Sequence, residues 1–570
     1  MIYKLNPPHH YKIYCKMQEK EVYAYQWHSE DNDNTTVIHM FGLDSENKNI
    51  YVKIEGFTPY VYLEIPENID WRLEYNKKNL YDKINEICSK YGSRNRPINQ
   101  NIKYKKKLYY THKKFDENKK LVDKTFPYVC LVFNTKKSIM FTKKLLNEGF
   151  TISIIRNGLK SVEKIKTKVH ETHATPVLQL TCFNNISPTG WVTIKGHKVE
   201  NPDDMESYCH QEYRIHWQNI KPPKHPKENI PNPLIMSFDI EVNSKNVNAM
   251  PSSKIPEDKV FQISCIFYRS GGDINNCEKY LLTLGEPDQK IVGEDIIIRK
   301  FRSESHLLEG YSEIICEKNP NVIVGYNIFG FDIKYMIDRS EFNFCQKKFY
   351  QQSFLAGKGG QISKINWSSS AYKNQDFTFI DSEGRLFIDL LPVVRRDYNF
   401  DTYSLKNVST HFLGQTKDPL DPKGIFKCYR MFTPKSLGIV GKYAVQDSML
   451  VLRLFDKLQT WIGLNEMSKI CNTPMLALFT QGQQVKIYSQ IYKICMNSNY
   501  VVEQDGYVCG ENDNYTGAYV FDPVPGLYDM VVSFDFSSLY PSVIIAYNID
   551  YTTLVTDPNI PDNLCHIFEW

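Results

Sequence analysis

Three short stretches carry acidic and phenolic side chains at spacings that can do chemistry. In Ser237-Phe238-Asp239-Ile240-Glu241-Val242, two carboxylates stand two residues apart. A strand has a side-chain period of two, so Asp239 and Glu241 point to one face. Carboxylates buried without a counter-charge are expensive. The pair is therefore either a metal site or an ordinary solvated strand end. In Asn321-Val-Ile-Val-Gly-Tyr-Asn-Ile-Phe-Gly-Phe-Asp-Ile-Lys-Tyr-Met336, a strand-like run breaks at Gly325-Tyr326-Asn327. Asp332 then opens a segment with Ile333, Met336 and Ile337 at helical spacing. Asp332 reads as a ligand or merely as a helix N-cap, and Phe331 beside it reads as packing. In Lys442-Tyr-Ala-Val-Gln-Asp447, apolar residues before and after support a helix. Tyr443 and Asp447 are then i and i+4 on one face; the plain alternative is a surface Tyr with an incidental Asp.

A fourth stretch runs from Met530 to Ile549, MVVSFDFSSLYPSVIIAYNI. Met530 to Phe534 reads as a strand entering Asp535, followed by a turn and a helix. That layout exposes the backbone N–H groups of Phe536, Ser537, Ser538 and Leu539, which suits a phosphate. Tyr540 taken alone would be a core aromatic.

The elements that must position these residues fall into four segments. Residues 1–230 read as a mixed α+β domain, with short strands and loops over 1–100, among them VYAYQWHS and PYVYLEI. Residues 101–124 are a basic run, read as solvated surface rather than a ligand site. FTKKLLNEGF at 141–150 suggests a short amphipathic helix. The Pro-broken stretch 221–233 marks the best boundary. Residues 231–457 alternate strand and helix patterns and form an α/β domain. Residues 458–510 are a helical connector interrupted at Pro474, and 511–570 begin a further domain.

A chain of 570 residues is too long for one core. Hydrophobic residues at 42% and charged residues at 24% fit an ordinary soluble protein. A net charge of +4 neither demands nor excludes nucleic acid. Fourteen Cys without a CxxC pair give no support to a four-Cys zinc site or a thioredoxin-like site, and suggest a reducing, intracellular setting. No run has the length of a membrane span, and no membrane partner is expected.

The order of these motifs resembles the exonuclease domain of family B DNA polymerases, which carries D-x-E, then N-x-x-x-F-D, then Y-x-x-x-D. All three are present without substitution, and WSSSAY (367–372), GRLFIDL (384–390) and TYSLKNVSTHFLG (402–414) between them resemble it too. The resemblance implies a ribonuclease H-like 3′–5′ exonuclease. Asp239, Glu241, Asp332 and Asp447 would hold two Mg2+ or Mn2+ ions, and Tyr443 would orient the water or the phosphate. Asn327 and Phe331 would shape a pocket for a single-stranded 3′ end.

The Met530–Ile549 string resembles the polymerase palm motif of the same family. Asp535 would be a catalytic metal ligand there, Phe536 to Leu539 would cradle a deoxynucleoside triphosphate, and Tyr540 would exclude a ribose 2′-OH. Upstream, Tyr515 and Gly517 match the DNA-contacting Y-x-G-G element, with Ala518 at its second Gly. TQGQQVKIYSQI (480–491) resembles the replicative branch of eukaryotic delta-like and large nucleocytoplasmic DNA virus enzymes. The Y-G-D-T-D-S and K-x-x-x-N-S-x-Y-G motifs of the family do not occur. The resemblance thus implies the N-terminal portion of a DNA-directed DNA polymerase, as a fragment or a split gene product. The alternatives are a free-standing exonuclease with a palm remnant, or a non-catalytic subunit. Its implied partners are primer–template DNA, single-stranded 3′ ends, a separate C-terminal polymerase chain and a sliding clamp. The implied location is a host cytoplasmic viral factory or the nucleus.

Overall fold

The computed structural model describes residues 17–32, 34–108, 112–369, 373–415, 420–503, 517, 519–550 and 552–568. It divides into two compact units, neither continuous in sequence. One comprises the chain to Phe57 with Thr175–Gln490, the other Thr58–Ala174 with Ile491–Trp570. The four sequential segments expected from the sequence do not coincide with these units, because residues 58–174 interrupt the first.

The first unit contains two six-stranded sheets. In one, Gln18–Asn32 pairs with both Thr35–Leu43 and Gly190–Lys198. Asn49–Phe57 and Gln211–His216 complete the circuit, so five strands close on themselves around Val22, Ile38, Met40, Val52 and Ile194. Closure removes the open edges of those strands.

The second sheet runs Ile296–Phe301, Glu278–Leu284, Val260–Arg269, Leu234–Val242, Val322–Gly325, Leu386–Asp389. Leu234–Val242 is antiparallel to Val260–Arg269 and parallel to Val322–Gly325, which is parallel to Leu386–Asp389. Central strands buried on both faces read as near-continuous apolar runs, as Val260–Tyr268 does. Helices Glu304–Lys318, Asp332–Phe342 and Pro434–Lys457 flank this sheet.

Two devices fix the helices. Pro434 occupies the first position of its helix, and Thr433 and Ser436 form a reciprocal capping box. Arg339, wholly buried, donates from Nε to Glu304 at 2.8 Å and from Nη1 to the Ser253 and Ile255 carbonyls at 3.0 and 2.9 Å. Glu304 also accepts the Val260 N–H at 2.8 Å. This one buried ion pair ties the helix that begins at Asp332 to the sheet. After the long helix come Thr460–Cys471 and Met475–Thr480. Pro474 stands at the N-cap between them, the expected interruption.

The second unit holds a five-stranded sheet, Lys168–His170, Tyr60–Glu64, Phe126–Val132, Asn99–Lys107, Tyr500–Val501, with helices Glu74–Cys88 and Lys136–Asn147. The first of these helices corrects the reading of residues 1–100 as strands and loops. Leu80, Ile84, Ile87 and Cys88 supply its buried face at helical spacing. The described residues of the basic run are exposed or half-exposed except Lys105, which is 5% exposed with its Nζ 4.5 Å from the centre of the Tyr62 ring. Its charge helps offset that of Glu171, a fully buried residue with φ 63° that accepts the Val502 N–H at 3.0 Å.

The strand expected over Met530–Phe534 does not form. A strand needs a ladder partner for its backbone groups, and among the described residues no segment pairs with this one. Residues 519–550 are exposed throughout; Leu539–Tyr547 is helical, with Ser538 at its N-cap in the left-handed region. No helix of the described residues is long and apolar enough to cross a membrane.

Burial raises the Glu171 carboxyl from 4.5 to about 7, and Lys105 only partly opposes that. A carboxyl whose pKa is raised by folding contributes most below its unfolded value, and the contribution is lost as pH rises through the folded value. The melting temperature of Glu171→Gln relative to wild type should therefore climb between pH 4.5 and 7, by the equivalent of up to about 3 kcal/mol. Thermal unfolding across that range checks it; a pH-independent difference would contradict it.

Candidate active site

The site is assembled on one face of the second sheet of the first unit. Ser237, Asp239 and Glu241 alternate along Leu234–Val242 and so share a face. The Ser237 hydroxyl donates to the Ser448 carbonyl at 2.8 Å. That bond identifies the face as the one covered by the helix Pro434–Lys457. Ser264 lies directly across from Asp239 in the ladder. Its hydroxyl donates to the Ala444 carbonyl at 2.9 Å and meets the Ser448 hydroxyl at 2.6 Å. The turn of helix that carries Tyr443 and Asp447 is thereby held over Asp239.

The other contributor enters along the neighbouring strand. Val322–Gly325 runs parallel to Leu234–Val242, with Val324 level with Ser237. The chain leaves that strand at the level of Asp239 and reaches Asp332 at the first turn of its helix. The N-cap is Phe331, with no side-chain cap, so the N-cap alternative for Asp332 is set aside. Phe331 packs against Tyr335 with ring centres 5.4 Å apart. Asn327 is exposed and adopts φ 64°, a left-handed conformation that Asn tolerates better than most residues. Its side chain folds over Gly330, where a Cβ would lie 2.6 Å from the amide oxygen.

Electrostatics mark the site as unusual. Asp332 is buried, and burial pushes its carboxyl well above the usual range, with the charge of Asp239 raising it further. Asp447 is 1% exposed, and both its oxygens are withdrawn from solvent. Glu241 and Tyr443 are buried as well, while Asp239 is half-buried. Like charges drawn together away from water favour proton or cation uptake. The donors are carboxylate oxygens, which suit a hard divalent cation. Among the described residues, no three His, Cys, Asp or Glu side chains lie close enough to hold an ion as they stand.

The protein-family comparison matches residues 167–408 to the exonuclease domain of DNA polymerase family B and residues 473–566 to DNA polymerase family B itself. The chain belongs to DNA polymerase family B. It is 45% identical to DNA polymerase 120R of Invertebrate iridescent virus 3, over 96% of this chain and 48% of that protein. Against DNA polymerase 037L of Invertebrate iridescent virus 6 it is 31% identical, over 97% of this chain and 52% of that one. The chain spans about half the length of these curated relatives. Among solved structures, the family B DNA polymerase of the archaeon Pyrobaculum calidifontis shares the fold. Its TM-score is 0.65 at 16% identity, over 95% of this chain and 59% of that one.

In this family B chain Asp239 and Glu241 lie on the sheet face covered by the helix that carries Tyr443 and Asp447, and the palm string belongs to the second unit. Asp535, Phe536, Ser537, Leu539 and Tyr540 are all exposed, Tyr540 at 75%. Gly517 is exposed, with open space where a Cβ would stand, and Tyr515 lies outside the described residues.

One residue was missed by motif reading. Asp389 ends the strand Leu386–Asp389 opposite Gly325 and is 1% exposed. Its carboxylate accepts the N–H of Asn327 at 2.7 Å, of Phe329 at 3.0 Å and of Leu391 at 3.0 Å. It therefore clamps the loop that presents Asn327 and leads into Asp332. Burial nonetheless raises its own carboxyl to about 6. The available signal was an Asp ending an apolar strand inside GRLFIDL, a string used only for its resemblance.

Removing the acceptor leaves three N–H groups to find other partners, at roughly 1–3 kcal/mol for each left unsatisfied. In Asp389→Ala, amide hydrogen exchange at Asn327 and Phe329 should accelerate by at least about tenfold, while the strand Leu234–Val242 keeps its protection. Unchanged exchange in the loop would show that the clamp carries no weight.

Proposed function

We propose that the first unit is a 3′–5′ exonuclease acting on single-stranded DNA ends, within a chain that forms part of a DNA polymerase. The observations that support this are that Asp239 and Glu241 share the sheet face covered by the Tyr443–Asp447 helix turn, and that Asp239 is close enough to Asp332 to raise its carboxyl further. Ser237 and Ser264 fix that arrangement. In this reading Asp239, Glu241, Asp332 and Asp447 hold two Mg2+ or Mn2+ ions. Such ions supply an activated water and stabilise the departing 3′ oxygen.

The chain's own residues do the rest. Tyr443 sits one turn before Asp447 and orients the attacking water or the phosphate by a hydrogen bond. A tyrosine phenol, with a usual pKa of about 10, is as a class a poor base at neutral pH. Asn327, exposed at the loop tip, offers an amide to the strand. Phe331, half-buried beside it, offers a ring edge against which a frayed base can stack. The Asp389 clamp holds the loop carrying both.

The palm residues belong to the same reading by motif. Asp535 is proposed as a ligand of the polymerase metals and Tyr540 as the barrier to a ribose 2′-OH. Tyr515 and Gly517 are proposed as DNA contacts, Phe536 to Leu539 as the triphosphate cradle, and a sliding clamp as a partner. In a polymerase containing this chain, Tyr540→Ala should raise ribonucleotide use relative to deoxynucleotides; an unchanged ratio would refute the assignment.

The exonuclease reading predicts that the 570-residue protein degrades a single strand from its 3′ end when Mg2+ is added. Asp332→Ala should lower the rate by about 100-fold or more, since a missing metal ligand costs more than the 10–100-fold typical of an outer partner. Tyr443→Phe, which deletes one hydrogen bond, should cost about tenfold. Release of labelled mononucleotide, with circular dichroism to establish folding, measures both. Equal rates for wild type and Asp332→Ala would overturn the proposal.

A further inference from the structure

The helix Pro434–Lys457, which carries Tyr443 and Asp447, borders a cavity of about 520 Å3 with a different stripe of its surface. Lys442, Gln446, Met449 and Arg453 stand at i, i+4, i+7 and i+11 along that stripe. Val292 and Ile296 also line the cavity, from the end of the short helix Gln289–Val292 and the start of the strand Ile296–Phe301. Lys279 is level with Ile296 in the neighbouring strand. Val292, Ile296, Val445 and Leu450 are buried and Met449 is half-buried. Val445, Met449 and Leu450 fall between Lys442 and Arg453 on the helix, so the groove is apolar in its middle and cationic at its ends.

The charges at those ends are not matched by the chain itself. Lys279 is paired with the exposed Asp295 at 2.5 Å. Lys442 and Arg453 have no carboxylate partner among the described residues, and the Arg453 guanidinium donates to the neutral Gln415 side chain at 2.7 Å. No carboxylate and no aromatic ring lines the cavity among the described residues. A nucleic-acid strand would match the cations but find no ring on which to stack a base. Lys442 and Arg453 stand about 16 Å apart along the helix axis. A small phosphate ester would therefore meet one of them and leave the other unmatched.

We infer that this groove docks a short extended segment of a partner protein, with apolar side chains in its middle and a carboxylate at each end. An extended chain rises about 3.3 Å per residue, so about five residues span the distance from Lys442 to Arg453. An apolar centre rimmed by charge is the anatomy of a protein interface, and opposite charges at the two ends fix the register of the bound segment. The Gln415 and Gln446 carboxamides can donate to or accept from its backbone. Lys442 and Gln446 immediately precede Tyr443 and Asp447, so the partner rests against the turn that carries them. The inference goes beyond the exonuclease reading and does not depend on it.

The test uses the full chain and the fluorescence anisotropy of a fluorescein-labelled peptide, Asp-Leu-Val-Leu-Glu. Saturable binding is expected, weakened about tenfold in the double variant Lys442→Glu, Arg453→Glu. On the wild-type chain, Asp-Ser-Ser-Ser-Glu should bind about tenfold more weakly than the apolar peptide, because the groove's middle is then left unfilled. The peptide Lys-Leu-Val-Leu-Lys should show the opposite preference and bind the double variant better than wild type. That exchange separates lost docking from lost folding, which circular dichroism checks independently. No saturable binding below about 1 mM, or equal affinity of both chains for both charged peptides, would overturn the inference. Displacement of the acidic peptide by oligothymidylate as readily as by unlabelled peptide would overturn it in favour of a nucleic-acid site. A dimer in sedimentation that the peptide dissociates would overturn it in favour of a second copy of this chain.

Discussion

The close approach of Asp239 to the buried Asp332 carboxyl is the constraint around which the site in the first unit is organised. Asp332 and Asp447 are nearly inaccessible, and Asp239 is close enough to Asp332 to raise its proton affinity. Such an arrangement opposes folding unless protons or cations are taken up. The fold therefore spends specific interactions on holding it. Ser237 and Ser264 bond the covering helix through its own carbonyls, Arg339 and Glu304 lock the Asp332 helix to the sheet, and Asp389 clamps the entering loop. None of these residues belongs to the family motifs, yet each removes a degree of freedom from a motif residue.

The geometry also explains why parallel neighbours matter. Leu234–Val242, Val322–Gly325 and Leu386–Asp389 run in the same direction, so their carboxyl ends lie at one edge. Functional loops in α/β sheets collect at that edge. Asp239 and Glu241, the Asn327 loop and Asp389 come from three different strands for this reason. Gly325 is required at the exit of its strand, because a Cβ there would run into the Ile328 side chain.

Much of the site was legible in the sequence because its spacings are local. The period of two for Asp239 and Glu241, and i, i+4 for Tyr443 and Asp447, follow from strand and helix geometry alone. Pro474 ended its helix as its missing N–H requires. What local patterns do not encode is tertiary compensation. Lys105 is buried because Glu171, distant in sequence, lowers the cost. The helix Glu74–Cys88 was hidden by its polar residues, although Leu80, Ile84 and Ile87 carried the period. Met530–Phe534 has strand composition but no ladder partner among the described residues, and composition cannot supply one. Asp389 was unreadable as a clamp because its partners are backbone N–H groups, which have no sequence signature.

The central claim is that the cluster of carboxylates is completed by divalent cations rather than merely tolerated. The most direct measurement is the melting of the first unit with and without Mn2+, for wild type and Asp332→Asn. Without the ion, removing one of the crowded charges should leave the protein as stable as wild type or more so. With Mn2+, wild type should gain several degrees in a concentration-dependent way, because an ion that binds only the folded state stabilises it by mass action. Asp332→Asn should gain little. Equal gains in both proteins, or none in wild type, would contradict the account.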